Sequence, residues 1–565
     1  MAEIKDIICS RTAEYIASQG KEASEEYIAS LIEVPSDRKR GDLALTCFKL
    51  AGVLRTRPDA IAQALAEEFK GAEGFEKVEA VGGYLNFFFG NDKYLKDLAV
   101  LVADEYPELE KTGEGKTVCL DFSSPNIAKR FHLGHLGSTV IGNSLRNIFK
   151  ALGYKTVAIN HLGDWGTQFG KLIVAYKKWS SHDRVKERGI DELVDLYVRF
   201  CDAEKQDASL SEEARAAFHE LETGNEEYLE IWRYFKEISL AEYDKTYKLL
   251  GVTFDCWHGE AFCYRRTGEV VKELREKGLL KKDEGAEIID LGDDTMPPVL
   301  ILKSDGSTTY HTRDIAAALW RKSEYGFCKC IYVTSAGQSL HFAQLFKVLE
   351  IMGRDWSKDM VHVPYGTMSI NGEKLASRTG NIVLLDDLLE RAVDKCASII
   401  EEKDSGVSDR DKVAKAVGVG AVVFNTLSNG RIKDKDFNWE TALSFDGNTG
   451  PYVHYTFARA TSVLKRASER GSYEGYTPLP DEAALVSKLC EYPETLLKAA
   501  QDYEPSYIAR FAINVCTLFN QFYHNCRILG VGGEAESFRL ALTEATRNVL
   551  GRCLDVLGME RVDEI

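Results

Sequence analysis

The sequence lacks the features of membrane, secreted and disulfide-stapled proteins. In its 565 residues no apolar run approaches the roughly 20 residues that a membrane-spanning helix needs. The segment 1–20 lacks the basic, apolar and small-residue order of a secretory signal. The thirteen cysteines are scattered, odd in number and without a Cys-x-x-Cys pair, which predicts reduced thiols rather than disulfides or zinc ligands. We therefore expect a cytoplasmic protein with no membrane partner and no metal site of its own.

The sequence also has fewer basic than acidic residues. Lys and Arg number 71, Asp and Glu number 88, and the formal net charge is −17. Because nonspecific DNA binding is driven by basic surface, this balance argues against a DNA partner. It still allows a nucleic acid that is held by local basic patches.

The chain contains no 20–50-residue repeat and no low-complexity tract, which excludes solenoids and linker-dominated architectures. Its length predicts about three domains. We expect an α+β domain at 1–112, an α/β domain with a Rossmann-like parallel sheet at 113–385, and an all-α helical bundle at 386–565. The α/β domain is expected to carry a helical insertion at about 180–248.

Alternating strand and helix patterns are the basis of the α/β prediction. The apolar run Thr117–Phe122 is followed by a Ser-Ser-Pro-Asn loop, a helical run at about 135–152, and a second apolar run from Lys155. This order is typical of a βαβ unit and hence of a parallel sheet. Further strand candidates are 287–291, 299–303 and 330–334. In the first domain, helical patterns at 23–32 and 58–69 precede a strand-like run at 83–89.

The loop after the first strand is the strongest candidate for chemistry. It reads SSPNIAKRFHLGHLGS from Ser123 to Ser138, and the three-residue spacing of His132 and His135 puts both rings on one face of a helical turn. Ligands of open α/β sheets lie at the carboxyl ends of strands, against helix N-termini. Two imidazoles there suit a nucleotide phosphate, and Gly134 lets a flat base approach the backbone. The alternative is that the histidines only cap the helix.

This segment resembles a known family. HLGH after a buried strand is similar to the His-Ile-Gly-His signature of class I aminoacyl-tRNA synthetases, and DFSSPNIAKRFHLGHLGST resembles the arginyl-tRNA synthetases. More blocks resemble that family in its order: NHLGDWGTQFG at 160–170, YHTRDIAAA at 310–318, YVTSAGQSLHFAQ at 332–344, SRTGNIVLLDDLL at 377–389, GNTGPYVHYTFAR at 447–459 and FNQFYHNCRIL at 519–529. Together they cover most of the chain from about residue 118.

The resemblance implies a two-step ligation. L-Arginine reacts with ATP to give arginyl-adenylate and pyrophosphate, and the 2′-hydroxyl of the terminal adenosine of tRNA(Arg) then takes the arginyl group. Mg²⁺ would accompany the nucleotide, activation would require bound tRNA, and the protein would be a monomer. Such a transfer depends on positioning and charge stabilisation and needs no enzyme nucleophile.

The resemblance also implies which residues bind ATP. Besides the histidine signature, class I enzymes have a mobile Lys-Met-Ser-Lys-Ser loop, whose first lysine corresponds to Lys374 while Ser377 replaces the second. Lys129 stands where arginine-specific members supply the missing charge. The implied ATP-binding set is Lys129, His132, Gly134, His135, Lys374 and Arg378, with Lys129, His132, His135 and Lys374 as its catalytic members. The alternative for 372–380 is a solvated turn.

Arginine recognition must satisfy a planar guanidinium with five donors, which calls for carboxylates in fork geometry. By resemblance, Asp314 and Tyr310 face the guanidinium, and Asp121 helps at the strand end. Four other positions match family contacts to arginine: Ser124, Asn126, His135 and Gln338. The alternative for Asp314 is a helix N-cap or first-turn charge. One departure is Gly137, where family members commonly carry Arg.

The resemblance assigns tRNA binding to both ends of the chain. The C-terminal domain would read the anticodon through Trp439, Tyr452, Tyr455 and Arg459, because aromatic side chains stack on unpaired bases. The N-terminal domain would contact the D-loop through Asn86. Most C-terminal aromatics lie at helical spacing, so core packing is their alternative. In the helical run AVGVGA, Gly418 and Gly420 predict close helix packing.

Three rival interpretations stay open. The first is another class I synthetase. The cysteine enzyme selects its amino acid with zinc, and the sequence shows no zinc-ligand set. A glutamate-specific pocket would need cationic side chains where Asp314 and Tyr310 stand. A catalytically silent RNA-binding paralogue is the second, although it would not need to retain Lys129, His132 and Lys374. Small nucleotidyltransferases share HxGH but lack a long helical C-terminus.

Overall fold

The N-terminal part of the chain is a small helix-and-sheet unit. The computed structural model describes residues 2–35, 38–292, 295–370, 373–374, 384–402, 407–467 and 471–565. An antiparallel sheet of order β1–β2–β4–β3 packs with helices through buried apolar side chains such as Leu85 and Phe87. The elements are α1 (Ala2–Ser18), α2 (Glu25–Ala29), β1 (Ile32–Glu33), β2 (Leu43–Thr46), α3 (Leu50–Leu54), α4 (Pro58–Glu68), β3 (Phe75–Val81), β4 (Tyr84–Phe89), α5 (Asn91–Ala103) and α6 (Pro107–Lys111). The predicted strand and the helix predicted at 58–69 are confirmed as β4 and α4. The helix predicted at 23–32 is shorter, as α2, and Ile32 belongs to β1.

A parallel sheet of order β11–β10–β5–β6 forms the centre of the molecule. Its elements are β5 (Thr117–Asp121), α7 (Leu136–Ala151), β6 (Lys155–Ile159), β10 (Lys329–Ser335), α16 (Ser339–Ile351) and β11 (Met360–Tyr365), and between β6 and β10 lie the elements described in the next paragraph. The predicted βαβ unit is confirmed as β5–α7–β6. Sequence patterns missed β11 because its segment contains His362 and Pro364; the strand lies at the sheet edge, where proline is tolerated.

Helices and a small sheet separate β6 from β10. They are α8 (Thr167–Trp179), α9 (His182–Arg188), α10 (Ile190–Glu204), α11 (Ser209–Glu222), α12 (Glu226–Leu250), α13 (Glu260–Tyr264), α14 (Thr267–Glu276), β7 (Lys281–Asp283), β8 (Ala286–Ile289), β9 (Val299–Leu302) and α15 (Tyr310–Tyr325). The helical insertion is observed as α9 to α12. The strand candidates at 287–291 and 299–303 pair as β8 and β9 in a separate antiparallel sheet of order β7–β8–β9.

The C-terminal part is almost entirely helical, as expected. After β12 (Met368–Ile370) and β13 (Glu373–Lys374) come α17 (Leu385–Glu402), α18 (Arg410–Leu427), β14 (Lys435–Phe437), α19 (Trp439–Ala442), α20 (Gly450–Lys465), α21 (Pro480–Leu489), α22 (Tyr492–Gln501), α23 (Ser506–Asn525) and α24 (Gly533–Leu557). One short strand departs from the all-α expectation: β14 pairs in parallel with β12, and this sheet has the order β13–β12–β14.

The long helix α24 joins the three parts of the chain. Ser144 and Asn147 of α7 donate hydrogen bonds to the carbonyls of Val556 and Asp555, at 2.9 and 3.0 Å. On the same helix, Arg552 forms a 2.5 Å ion pair with Asp104, which follows α5. The helix that begins at the histidine signature is therefore supported from the C-terminal end of the chain.

The thiols fit the sequence-based expectation of reduced cysteines. All thirteen cysteines carry free thiols, most of them buried. Among the described residues, no helix combines the length and the apolar character that crossing a membrane requires.

Gly418 and Gly420 allow helices to approach closely, as predicted. A Cβ at Gly418 would lie 2.8 Å from the backbone of Ala392 in α17, and one at Gly420 would lie 2.4 Å from the ring of His454 in α20. Both distances are shorter than Cβ contacts in folded proteins, so these glycines set the spacing of α18 from its two neighbours.

We predict that Gly418→Ala lowers the free energy of unfolding by about 1–3 kcal/mol, because backbone atoms of α17 cannot yield to the added methyl group. Gly268→Ala is the matched control, since Gly268 lies in α14 and no atom lies within 4 Å of the place that its methyl group would take. There alanine should be neutral or stabilise by up to ~1 kcal/mol. Urea denaturation measures the free energy of unfolding of both variants. If the two values are equal, the close packing of α18 on α17 is contradicted.

Candidate functional site

A cleft of about 1070 Å³ opens where the parallel strands end. Asp121 ends β5, Ser335 ends β10 and Tyr365 ends β11, and all three line it. Ligands of parallel α/β sheets bind at this edge. The structure brings together in the cleft all seven residues expected to bind arginine: Asp121, Ser124, Asn126, His135, Tyr310, Asp314 and Gln338.

The loop after β5 has an unusual backbone. Ser123, Ser124 and Ala128 have φ values of 69°, 48° and 59°, in the left-handed region that non-glycine residues rarely adopt. Pairing with the loop after β6 holds this conformation: Ile127 N donates to Gly163 O at 3.2 Å, and Gly163 N donates to Pro125 O at 3.1 Å. Strain that is held in place by neighbouring structure is typical of functional loops.

The two signature histidines form a compact turn at the start of α7. Gly134 N donates to His132 Nδ1 at 3.1 Å, and His132 N donates to His135 Nδ1 at 3.2 Å. The capping alternative is therefore correct for both Nδ1 atoms. Because its Nδ1 accepts a backbone N–H, the neutral ring of His132 carries its proton on Nε2 and presents it as a donor. His135 Nδ1 lies 3.2 Å from both N and O of His132, so it can accept from the one or donate to the other.

Burial keeps both rings neutral. It lowers the pKa of His135 to about 3, with a further contribution from His132, and it lowers the pKa of His132 below its ordinary value. His135 also stacks on Phe131 at a ring distance of 4.8 Å. At neutral pH the histidines can thus act on a phosphate as hydrogen-bond donors rather than as cations.

The carboxylate of Asp121 already has partners within the protein. Its Oδ2 forms a 2.7 Å ion pair with Arg321 of α15, whose side chain is only 2% exposed, and its Oδ1 accepts from Ser124 Oγ at 2.8 Å. Arg321 also lies 3.3 Å from His161 Nδ1. The charge of Asp121 is therefore balanced by a buried guanidinium.

Among the described residues, the ion-pair partners of Asp314 are histidines. His341 Nε2 lies 2.6 Å from its Oδ2, and His161 Nε2 lies 3.9 Å from its Oδ1. Although burial opposes the charged form, the hydrogen bond from His341 holds the pKa of Asp314 below its ordinary value. The N-cap alternative is wrong, because Thr309 caps α15 and Asp314 lies beyond the first turn.

Tyr310 and Gln338 lie at the open side of the cleft. Tyr310 begins α15 and is 65% exposed, and the guanidinium of Arg313 lies 4.7 Å from its ring centroid. Gln338 ends the single turn that follows β10 and immediately precedes α16.

Several cleft residues were not expected from the sequence. Glu260 of α13 is the clearest: burial raises its pKa to about 7, and Arg313 Nε lies 3.4 Å from its Oε2 without a well-aligned hydrogen bond. His341 lies three residues after Gln338 in the same family-like block, so that block was a usable signal. His161 also lies in such a block, at 160–170. No local pattern marks Glu260 or Arg321, because their contacts join segments far apart in the chain.

The cleft suits a cationic ligand that makes many hydrogen bonds. Five carboxylates line it against three cationic side chains: Asp121, Glu222, Glu260, Asp305 and Asp314 against Arg215, Lys303 and Arg313. Buried polar atoms without a hydrogen-bond partner among the described residues include Glu260 Oε2, His161 Nε2 and Thr308 Oγ1. Such atoms are costly unless a ligand satisfies them.

The other residues of the expected ATP site lie along two segments. Lys129 is exposed in the loop before the histidines, and its carbonyl accepts from Tyr243 OH at 2.6 Å. Lys374 ends β13, and Arg378 lies outside the described residues. Among the residues that the structure describes, no group of three or more His, Cys, Asp or Glu side chains has the arrangement of a metal site.

The expected tRNA-binding residues lie in three separate places. Tyr452, Tyr455 and Arg459 share one face of α20, where Arg459 Nη2 donates to Tyr455 OH at 2.9 Å. Trp439 begins α19 and packs under Arg391, 4.6 Å from the ring centroid. Asn86 is only 5% exposed in β4. The exposed rings beside it belong to Tyr84 and Phe48, whose centroids are 5.3 Å apart.

Comparisons with known families agree with this arrangement. Residues 98–439 match the model described as tRNA synthetases class I (R), catalytic domain. Residues 453–565 match the DALR anticodon binding domain, and residues 3–89 match the arginyl tRNA synthetase N terminal domain.

Curated relatives and solved structures resemble the whole chain. An arginine–tRNA ligase of Alkaliphilus metalliredigens is 44% identical, covering 98% of this chain and 99% of the relative. One of Clostridioides difficile is 47% identical, covering 95% and 96%. The fold is similar to arginyl-tRNA synthetases of Thermus thermophilus and Plasmodium falciparum, with TM-scores of 0.82 and 0.81 at 24% identity and coverage of at least 99% of each chain. The chain belongs to the arginyl-tRNA synthetases, the class I ligases that join arginine to tRNA in two steps.

Proposed function

We propose that the cleft binds L-arginine and ATP side by side and that the residues described above carry out arginine–tRNA ligation. The observation that carries this proposal is the position of Asp314. Among the described residues it has no lysine or arginine within ion-pair distance, only His341 and His161, and it lines the same cleft as His135. A class I catalytic domain uses ATP, and such an arrangement supplies an acceptor for a guanidinium beside donors for a phosphate.

Asp314 and Glu260 are the proposed carboxylates for the guanidinium. Arg321 already neutralises Asp121, so Asp121 attracts a cation less strongly than Asp314 does. A guanidinium presents paired donors to carboxylates, whereas the ammonium of lysine cannot bridge them in the same way. Tyr310 borders this end of the cleft. Ser124, Asn126, His135 and Gln338 are proposed to contact the rest of the amino acid.

The nucleotide phosphates are proposed to lie at the start of α7. The Nε2–H group of His132 would donate to them, as would that of His135 in the tautomer that carries its proton there, while Lys129, Lys374 and Arg378 add positive charge. Charge that grows on the phosphates during the attack of the arginine carboxylate is then stabilised by groups already in place. Gly134 keeps this turn accessible to the base. Because the described residues contain no metal cluster, Mg²⁺ would arrive with the phosphates.

The tRNA is proposed to contact both ends of the chain. The matched anticodon binding domain covers 453–565 and supports a role in anticodon binding for Tyr455 and Arg459. Tyr452, on the same face of α20, and Trp439 lie outside that match and are proposed to take part as well. The N-terminal unit with Asn86 would contact the D-loop. We propose domain limits of 1–112, 113–385 and 386–565, a monomeric cytoplasmic enzyme, transfer to the 2′-hydroxyl, and activation that requires bound tRNA(Arg).

The first test is arginine-dependent exchange of pyrophosphate into ATP. We expect exchange only when arginine and tRNA are both present, and none with lysine or cysteine. Exchange with arginine alone would overturn the tRNA requirement and leave the activity in place. Folded protein that binds tRNA but never catalyses exchange would favour the silent-paralogue interpretation.

Asp314→Asn is expected to lower kcat/KM for arginine by about 10–100-fold, because a charge-assisted hydrogen bond contributes roughly 1.5–3 kcal/mol. The KM for ATP should stay within about twofold of the wild type. Asp290→Asn is the matched control, since that carboxylate is exposed and accepts from Gly292 N at 3.0 Å outside the cleft. Steady-state exchange kinetics check both; equal losses of arginine and ATP binding would contradict a guanidinium-specific role.

The protonation of Glu260 predicts a pH dependence. Its pKa of about 7 means that the carboxyl group is mostly neutral below that pH and ionised above it. Since kcat/KM reports the free enzyme, kcat/KM for arginine should rise as the pH increases from 6 to 8. This rise in kcat/KM with pH should disappear in Glu260→Gln. If the variant shows the same rise, the titration belongs to another group.

A further inference from the structure

The ring of Tyr365 occupies the space of a side chain at Gly137. Gly137 lies in the first turn of α7, two residues after His135. A Cβ at this position would lie 2.9 Å from both Cδ2 and Cε2 of Tyr365. Real Cβ atoms rarely approach a neighbour so closely, so the turn and the ring are in direct contact.

The hydroxyl group of Tyr365 reaches the same turn at a second point. It donates to Gly134 O at 3.4 Å, and Gly134 lies between the two signature histidines, directly before His135. Burial raises the pKa of Tyr365 to about 12, so the group stays a donor at neutral pH. One side chain therefore contacts the turn through its ring and through its hydroxyl group.

The segment after Tyr365 is fixed to the C-terminal part of the chain. We call residues 431–437 the strap. Gly366 N donates to Arg431 O at 2.9 Å, and a Cβ at Gly366 would lie 2.6 Å from Ile432 O. Thr367 donates to Asp434 Oδ1 through both N and Oγ1, at 2.8 and 2.7 Å.

The strap is itself anchored at two places. Arg431 Nη1 lies 3.2 Å from Glu504 Oε2, next to the start of α23. The buried Nζ of Lys435 donates to Thr426 O in α18. Beyond Thr367, β12 pairs with the strap through β14 and with β13, the strand that ends at Lys374. Tyr365 thus lies between the histidine turn and strand β12, which pairs with the strand β13 that ends at Lys374.

We propose that Tyr365 is a positioning residue: its ring, carried by a backbone that the strap holds at Gly366 and Thr367, sets the distance between the His132–His135 turn and the strands that lead to Lys374. The proposal rests on the proposed role of these three residues in binding ATP. A misplacement of ~1 Å can cost up to ~100-fold in rate, so loss of the ring should impair the use of ATP and leave the arginine end unchanged.

Two variants of Tyr365 separate positioning from direct contact. Tyr365→Phe keeps the ring and removes only the long hydrogen bond, so exchange should stay within about threefold of the wild type. Tyr365→Leu removes the ring, and kcat/KM for ATP should fall at least about tenfold with KM for arginine unchanged. Both are measured with saturating tRNA, and tRNA affinity and thermal stability are determined in parallel. If Tyr365→Phe loses as much kcat/KM for ATP as Tyr365→Leu does, the hydroxyl group rather than the ring is required, and the positioning role is overturned.

Gly137→Ala tests the other side of the contact. Its methyl group would displace the ring and lower kcat/KM for ATP, and the helix propensity of alanine offsets only part of the cost of this close contact in the free energy of unfolding. In the double variant with Tyr365→Leu, the methyl group partly refills the space. Its activity should exceed the product of the two single effects by at least about threefold. Gly268→Ala is the control for a harmless helical methyl group.

The outcomes distinguish this proposal from the proposed function. Wild-type enzyme without arginine-dependent exchange would overturn both. An active wild type with a fully active, folded Tyr365→Leu variant would overturn the positioning role alone. Strict independence of the Gly137 and Tyr365 effects would also overturn it.

Discussion

The buried ion pair between Arg321 and Asp121 is the interaction on which the geometry of the cleft depends. It joins the end of the central strand β5 to helix α15, and an unpaired guanidinium with 2% exposure would be strongly unfavourable. The pair therefore fixes the helix that carries Asp314 against the strand that leads into the histidine loop. It also cancels the charge of Asp121, whereas Asp314, which has no lysine or arginine ion pair among the described residues, faces the cleft as an ionised carboxylate beside neutral histidine rings and the titratable Glu260.

The sequence predicted the parts of this arrangement that depend on local pattern. The run Thr117–Phe122 and the helix after the histidines have clear periods, and both are confirmed as β5 and α7. The cleft contains every residue expected to bind arginine. Local pattern did not reveal β11, whose proline and histidine hide an edge strand, nor Glu260 and Arg321, whose partners lie 53 or more positions away in the chain. The assigned roles and the domain limits stay predictions.

The tRNA-facing side chains illustrate a different limit. Helical spacing correctly places Tyr452, Tyr455 and Arg459 together, but it does not tell packing from recognition, and Arg459 bonds to both Tyr455 and Asn520 within the protein. In the N-terminal sheet, alternation puts Asn86 on the same face of β4 as Tyr84, opposite Leu85 and Phe87, yet Asn86 is buried while Tyr84 and Phe48 are exposed. Which aromatic rings are exposed for recognition depends on how the segments pack together, and the periodicity of a single segment does not predict it.

The support of α7 by α24 has a consequence for the biosynthesis of the protein. The helix that follows the histidine signature ends at Ala151, yet the carbonyls that bind Ser144 and Asn147 belong to Val556 and Asp555. A ribosome making ~5–20 residues per second reaches that helix roughly 20–80 s after it has finished α7. In the nascent chain Ser144 and Asn147 therefore lack these partners for most of its synthesis, and the packing of α7 is completed only when translation is nearly over.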